Sequence, residues 1–226
     1  MGYVPYAAGG ITIRHKNMRD IIGYFPVYVY DKRSGAPATL TPYILEGSKA
    51  GATAADVWTA HRVLPLNVSG YGKLIGRSIE AAQRYYEFLK NLSFNINGNE
   101  VEVNTLTKPD FNMVDWTFNV KGNTNLAKIN ELNLKFYQKA SFVDGPVYNN
   151  DFLTSHTDFA TDGYGDSPVT YVKSLGFSED EWQKVQSVGI LRACILTPFL
   201  YDRDNFASYA EKIKKAMEEK LTAILG

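Results

Sequence analysis

The chain has 226 residues, 45% of them hydrophobic and 13% aromatic, which is enough apolar surface to bury one sizeable core or two small ones and too much for a disordered chain. Its 24 Lys and Arg balance its 24 Asp and Glu, excluding a global electrostatic grip on a phosphate backbone or an anionic membrane. A single cysteine, Cys194, excludes an internal disulfide and a thiolate cluster.

The opening Met-Gly-Tyr-Val-Pro-Tyr-Ala-Ala-Gly-Gly has no helical period and reads as an extended arm that is rigid only where it docks. It lacks the basic-then-apolar order of a secretory signal, and Tyr6 stands where a myristoylation site needs Ser or Thr. The run from 190 to 200 is interrupted by Arg192 and falls short of the ~20 residues of a membrane helix, so cytoplasmic synthesis is expected. Strands are expected at 11–15, 21–30 and 39–45, with Pro26 and Pro42 assigning the last two to sheet edges; residues 31–35 form the turn between them. Thr53 with Asp56 makes a capping-box pattern for a short helix to about Val63. A stronger helix is expected from about Arg77 to Leu92, with Ile79, Ala82, Tyr86 and Leu89 as its apolar stripe.

The middle predicts a β-meander. Phe94 and Ile96 face Val101 and Val103 across Asn97-Gly98, a dipeptide that tolerates the positive φ of a tight hairpin turn. Val114, Trp116, Phe118 and Val120 alternate with Asp115, Thr117 and Asn119, the pattern of a strand with one buried face. Leu132, Leu134 and Phe136 repeat it after a turn at 122–125, with helix the competing reading of 126–132. Residues 141–168, rich in Asp, Asn, Gly and Tyr, predict a long binding loop. Ser178 with Glu181 opens another helix through about Ser187, and 190–197 fit a buried strand or its continuation. The last helix, 205–225, carries Phe206, Tyr209, Ile213, Met217, Leu221 and Ile224 on one face, with Glu211 and Lys215 as an ion pair. The expected fold class is α+β: an antiparallel sheet packed with several helices in one domain over 1–226, with an arm at 1–10 and the long loop at 141–168.

The search for chemistry returns near misses. Gly70-Tyr-Gly-Lys-Leu-Ile-Gly76 lies between an apolar run and a helix, as a pyrophosphate-binding turn does, yet Ile75 occupies the place of the third Gly, no acidic residue closes a strand about twenty residues on, and Lys73 has no phosphate-loop frame. Ser155, His156 and Asp158 supply triad residue types, but neighbours on an extended segment point to alternating sides. His15, His61 and His156 are not spaced as metal ligands, Asp162 and Asp166 lack the alternating ligands of a calcium loop, and Cys194 sits in an apolar run as a small hydrophobe. No catalytic, cofactor-binding or metal-ligating residues are expected, and no cofactor.

Aromatic residues and charge distribution remain. Tyr3, Tyr6, Tyr28, Tyr30, Tyr148 and Tyr164 fall in loops or on strand faces opposite the apolar one, and tyrosine suits half-wet contacts because its ring buries area while its hydroxyl keeps a partner. Through Lys90 the chain has eleven basic and six acidic residues, beyond it thirteen and eighteen, a division that fits head-to-tail stacking of basic on acidic surface. The candidate oligomer interface is Tyr3, Val4, Tyr6, Tyr28, Tyr30, Lys32, Arg33, Tyr148 and Tyr164. Carbohydrate or surface binding through Tyr148 and Tyr164 is one alternative, and a nucleotide-dependent enzyme using Gly70 to Gly76 is another.

The arm, the proline-bearing edge strands, the long loop, the neutral charge and the lack of a catalytic set resemble tailed-bacteriophage structural proteins of the head-to-tail connector, neck or tail ring type. The resemblance implies a non-enzymatic virion subunit. Its partners would be copies of itself in a ring and other structural proteins of the particle, with no sequence-specific nucleic acid and no membrane.

Overall fold

The computed structural model describes residues 8–23 and 50–226. The chain divides into two compact units, residues 1–72 and 73–226. In the first, the strand expected at 11–15 has no regular structure, and a 3-10 turn follows at Lys16–Ile21. The strands expected around Pro26 and Pro42 lie outside the described residues. Helix α1 (Ala52–Val63) starts one residue before Thr53, and its N-cap, Gly51, offers no side-chain bond; the Thr53–Asp56 capping box does not form.

Helix α2 (Tyr71–Lys90) starts a turn and a half earlier than the periodicity predicts, so Gly72 and Gly76 are helical rather than parts of a phosphate-cradling loop. Ahead of it the Asn67 carboxamide accepts from the amides of Ser69 (3.1 Å) and Gly70 (3.0 Å), and the Tyr71 amide donates to the Pro65 carbonyl at 3.0 Å. The amides that would have held a phosphate are used by the turn itself. Glycine is required at 70 because a Cβ there would stand 2.1 Å from the Pro65 carbonyl oxygen.

In the second unit α2 leads into a hairpin of β1 (Ser93–Ile96) and β2 (Asn99–Thr105), joined by Asn97 (φ 52°) and Gly98 (φ 84°), the left-handed pair expected of that dipeptide. Then come β3 (Met113–Val120), α3 (Leu126–Lys139), β4 (Ser155–Ala160), α4 (Thr161–Tyr164), α5 (Val169–Ser174), α6 (Glu179–Val185), β5 (Ser187–Cys194) and α7 (Arg203–Leu225). The five strands form one antiparallel sheet in the order β1-β2-β3-β5-β4, so the fold is α+β. Part of the expected long loop is therefore ordered as β4, the sheet's edge strand, with 3-10 turns at Phe142–Asp144 and Val147–Asn149 before it.

Residues 132–136, which alternate like a strand, belong to α3. Asn125 caps that helix by accepting from the Lys128 amide at 3.1 Å, and Leu126, Ile129, Leu132 and Phe136 recur at helical spacing and are all buried. The sheet separates two cores. Val114, Trp116 and Phe118 of β3 and Leu191 of β5 pack with Tyr85 and Leu89 of α2 and Met217 and Leu221 of α7. Val188 and Ile190 of β5 pack on the other face with Leu126, Ile129, Tyr171 and Trp182. Each fully buried large side chain contributes about 1.5–3 kcal/mol. Because both faces are covered, β3 is not the half-buried strand expected: Thr117 and Asn119 are buried too, with the Thr117 hydroxyl 2.9 Å from that of Tyr171, which donates to the Asn104 carbonyl at 2.8 Å.

Helix α3 also closes a gap in the sheet. β3 and β5 pair only from Met113–Trp116 to Leu191–Cys194 and then part. Asn133 occupies the place of a strand on the β3 side, accepting from the Phe118 amide (2.8 Å) and donating to the Phe118 carbonyl (2.9 Å). Asn130 does the same for β5, donating to the Ser187 carbonyl and accepting from the Gly189 amide, both at 2.9 Å. Two carboxamides one turn apart thus satisfy backbone groups that burial would otherwise orphan.

Candidate functional site

Two concave surfaces of the second unit meet at Phe206, on the first turn of α7. One is a wide cleft of about 670 Å³ along α2, walled by Glu80, Arg84 and Glu87 and closed by Lys108 and Arg203. Charges of both signs line it, and the Arg84 Nε is buried with no hydrogen-bond partner among the described residues. The other is a more apolar hollow of about 420 Å³, where Tyr85 of α2, Phe152, Cys194 of β5 and Tyr209 and Ile213 of α7 converge. The Tyr85 side chain is buried edge-on against Trp116, ring centroids 5.9 Å apart, and its hydroxyl also lacks a partner among the described residues. Burial pushes its pKa far above the usual tyrosine value, so it is a neutral donor at any physiological pH. On the wall of the hollow, Arg192 Nε donates to Asp115 Oδ1 at 2.8 Å across the β3–β5 pair.

The residues singled out from sequence do not assemble into a centre. His156 Nε2 lies 3.8 Å from Asp158 Oδ1, while the Ser155 hydroxyl donates to the Arg192 carbonyl, so no relay forms. Burial lowers the His156 pKa below its ordinary value, with Asp158 opposing the shift, and its ring packs on Tyr137 at 5.6 Å. His61 stands edge-on to Tyr71, far along the chain from either. Asp162 and Asp166 are exposed on and after α4, and no group of three His, Cys, Asp or Glu among the described residues could hold a metal. Of the candidate interface residues, Tyr3, Val4, Tyr6, Tyr28, Tyr30, Lys32 and Arg33 lie outside the described residues. Tyr148 is 86% exposed, and Tyr164 lies against Phe159 with centroids 4.6 Å apart. Cys194, expected in the interior, is exposed at the end of β5.

Sequence reasoning missed Arg84 and Tyr85. The buried stripe of α2 is Ser78, Ala81, Ala82, Tyr85 and Leu89, displaced from the expected Ile79, Ala82, Tyr86 and Leu89. The small residues at 78, 81 and 82 are buried on the same face as Tyr85, a signal that the inner face of α2 is not the one its aromatic spacing suggests. On α7, Met217 and Leu221 are buried as expected, but Tyr209, on the same face, is 53% exposed: the apolar stripe continues beyond the core. Lys215 reaches Glu219 at 3.7 Å, one turn on from the direction expected. No helix among the described residues is long and apolar enough to cross a membrane.

Residues 81–221 match the family model of the tyrosine decarboxylase C-terminal region. The chain is similar to the L-tyrosine decarboxylase of Enterococcus faecium, 59% identical over 225 residues, which are 100% of this chain and 37% of that protein. It is also similar to that of Enterococcus faecalis, 56% identical over 224 residues (99% and 36%), and to that of Levilactobacillus brevis, 54% identical over 224 residues (99% and 36%). The chain thus spans little more than a third of the length of these relatives. The matches overturn the expectation of a bacteriophage connector, neck or tail ring subunit, together with its ring and particle partners, its virion location and its having no part in an enzyme; the carbohydrate-binding and nucleotide-turn alternatives gain nothing from them either. Tyrosine-rich loops, edge prolines and uneven charge mark any surface that meets a neighbour, so they carry no information about which neighbour. The chain belongs to the family of tyrosine decarboxylase C-terminal domains.

Proposed function

We propose that this chain serves as the C-terminal part of an enzyme that decarboxylates L-tyrosine. The observation that carries the reading is 54–59% identity, across essentially the whole chain, to three proteins named for that activity. Removing the carboxylate of an α-amino acid leaves an electron pair on Cα that needs an electron sink, the chemistry of pyridoxal phosphate held as a Schiff base on a lysine. The described residues do not fit that group: no lysine whose side chain is described is buried, and Lys108, the one lysine lining either of these concave surfaces, is exposed. The role assigned to the described part of the chain is therefore to fold and to support the portion that holds the reacting atoms. The test is a chimera in which this chain replaces the matching 225 residues of the Enterococcus faecium relative, assayed for release of CO2 and tyramine from tyrosine. Activity is the expected result; a folded, full-length chimera with no release above background would refute the reading.

A further inference from the structure

The hollow lined by Tyr85 is mostly apolar and open on one side. It has about 420 Å³ of space, and its lining includes the exposed Leu153 (46%) and Tyr209 (53%) together with Phe152, Leu200 and Ile213. These come together because β5 ends at Cys194, the 3-10 turn Pro198–Tyr201 follows, and Leu153 precedes β4, which pairs with β5. A concavity lined mainly by apolar side chains, some of them exposed, marks an interaction site rather than ordinary surface.

We propose that this hollow receives an apolar side chain of the catalytic portion of the decarboxylase. The inference rests on the proposed function, since the relatives have roughly 63% of their length outside the matched region, and that length supplies the occupant. The lining favours an uncharged insert. Arg192, the one charged residue of the lining, is already paired with Asp115, and Phe152, Leu200, Phe206 and Ile213 are apolar.

Cys194 lines the hollow, is exposed in this chain and reports its occupancy. In the chimera, maleimide labelling of Cys194, followed by mass spectrometry of its peptide, is compared between native and urea-unfolded protein. An occupied hollow slows labelling by about tenfold or more relative to the unfolded protein, and Leu153→Glu, which puts a carboxylate on the rim, returns the rate towards the unfolded value. Native labelling as fast as unfolded, in a chimera that decarboxylates tyrosine, overturns the socket and leaves the proposed function standing. Slow labelling in an inactive chimera supports the socket and refutes the function. Two outcomes assign another occupant and so overturn the proposal: protection that disappears when light scattering shows dissociation to monomers, which means a second copy, and protection lost on dialysis of the intact chimera, which means a small molecule.

Discussion

Asn133→Leu tests whether α3 substitutes for a strand. The replacement has nearly the same shape, so it leaves no cavity, but it removes the acceptor that holds the Phe118 amide and the donor that holds the Phe118 carbonyl. Ile129's carbonyl also loses its second donor. Two orphaned backbone groups at about 1–3 kcal/mol each give a loss of about 2–6 kcal/mol, and the added methyl burial offsets roughly 1 kcal/mol of it. A net loss near 3 kcal/mol corresponds to a fall of about 6–12 °C in Tm for a domain of this size, measured by circular dichroism. Asn133→Asp separates hydrogen bonding from packing. An ionised carboxylate accepts from the Phe118 amide but repels the two carbonyl oxygens, and burial would raise its pKa above that of the unfolded chain. Its stability is therefore greatest below the unfolded-state pKa and is lost as pH rises through the folded one. A Tm for Asn133→Leu within about 1 °C of the parent would show that the strand ends do not depend on α3.

Two further substitutions address other features. His156 has a folded pKa depressed below 6.5, mainly by burial, so below that value the unfolded chain binds a proton that the folded chain refuses. Stability should fall as pH drops through about 6.5 and level off below the folded pKa, and His156→Asn should flatten that part of the urea-denaturation profile; parallel profiles would exclude the histidine as the cause. Gly70→Ala drives a Cβ into the Pro65 carbonyl, and overpacking of this kind costs about 1–3 kcal/mol. Hydrogen exchange should show the first turn of α2 opening more readily, and unchanged protection there would mean that the turn relaxes freely.

The features legible in the sequence are those set by near neighbours in the chain. Asn97-Gly98 turns because both residues tolerate positive φ. Ser178 caps α6 by accepting from the Glu181 amide at 3.2 Å, although the Glu181 carboxylate then crosses to the Leu126 amide at the start of α3, a partner no local pattern names. Met217 and Leu221 are buried at the helical spacing expected of α7. Tertiary structure decided the rest. Residues 132–136 alternate like a strand, but only as a helix can α3 serve both cores and place Asn130 and Asn133 against diverging strands. β4 has no strong apolar alternation and is a strand because β5 offers it an edge. Thr117 and Asn119 are polar residues with interior positions because α3, α5 and α6 cover the second face of the sheet. Tyr85 rather than Tyr86 is buried because its ring meets Trp116 of β3 edge-on, a contact that helical spacing alone does not specify. The family was not legible from local chemistry because the reactive residue types do not converge among the described residues: the Ser155 hydroxyl is bonded to the Arg192 carbonyl, and no group of His, Cys, Asp or Glu gathers into a centre.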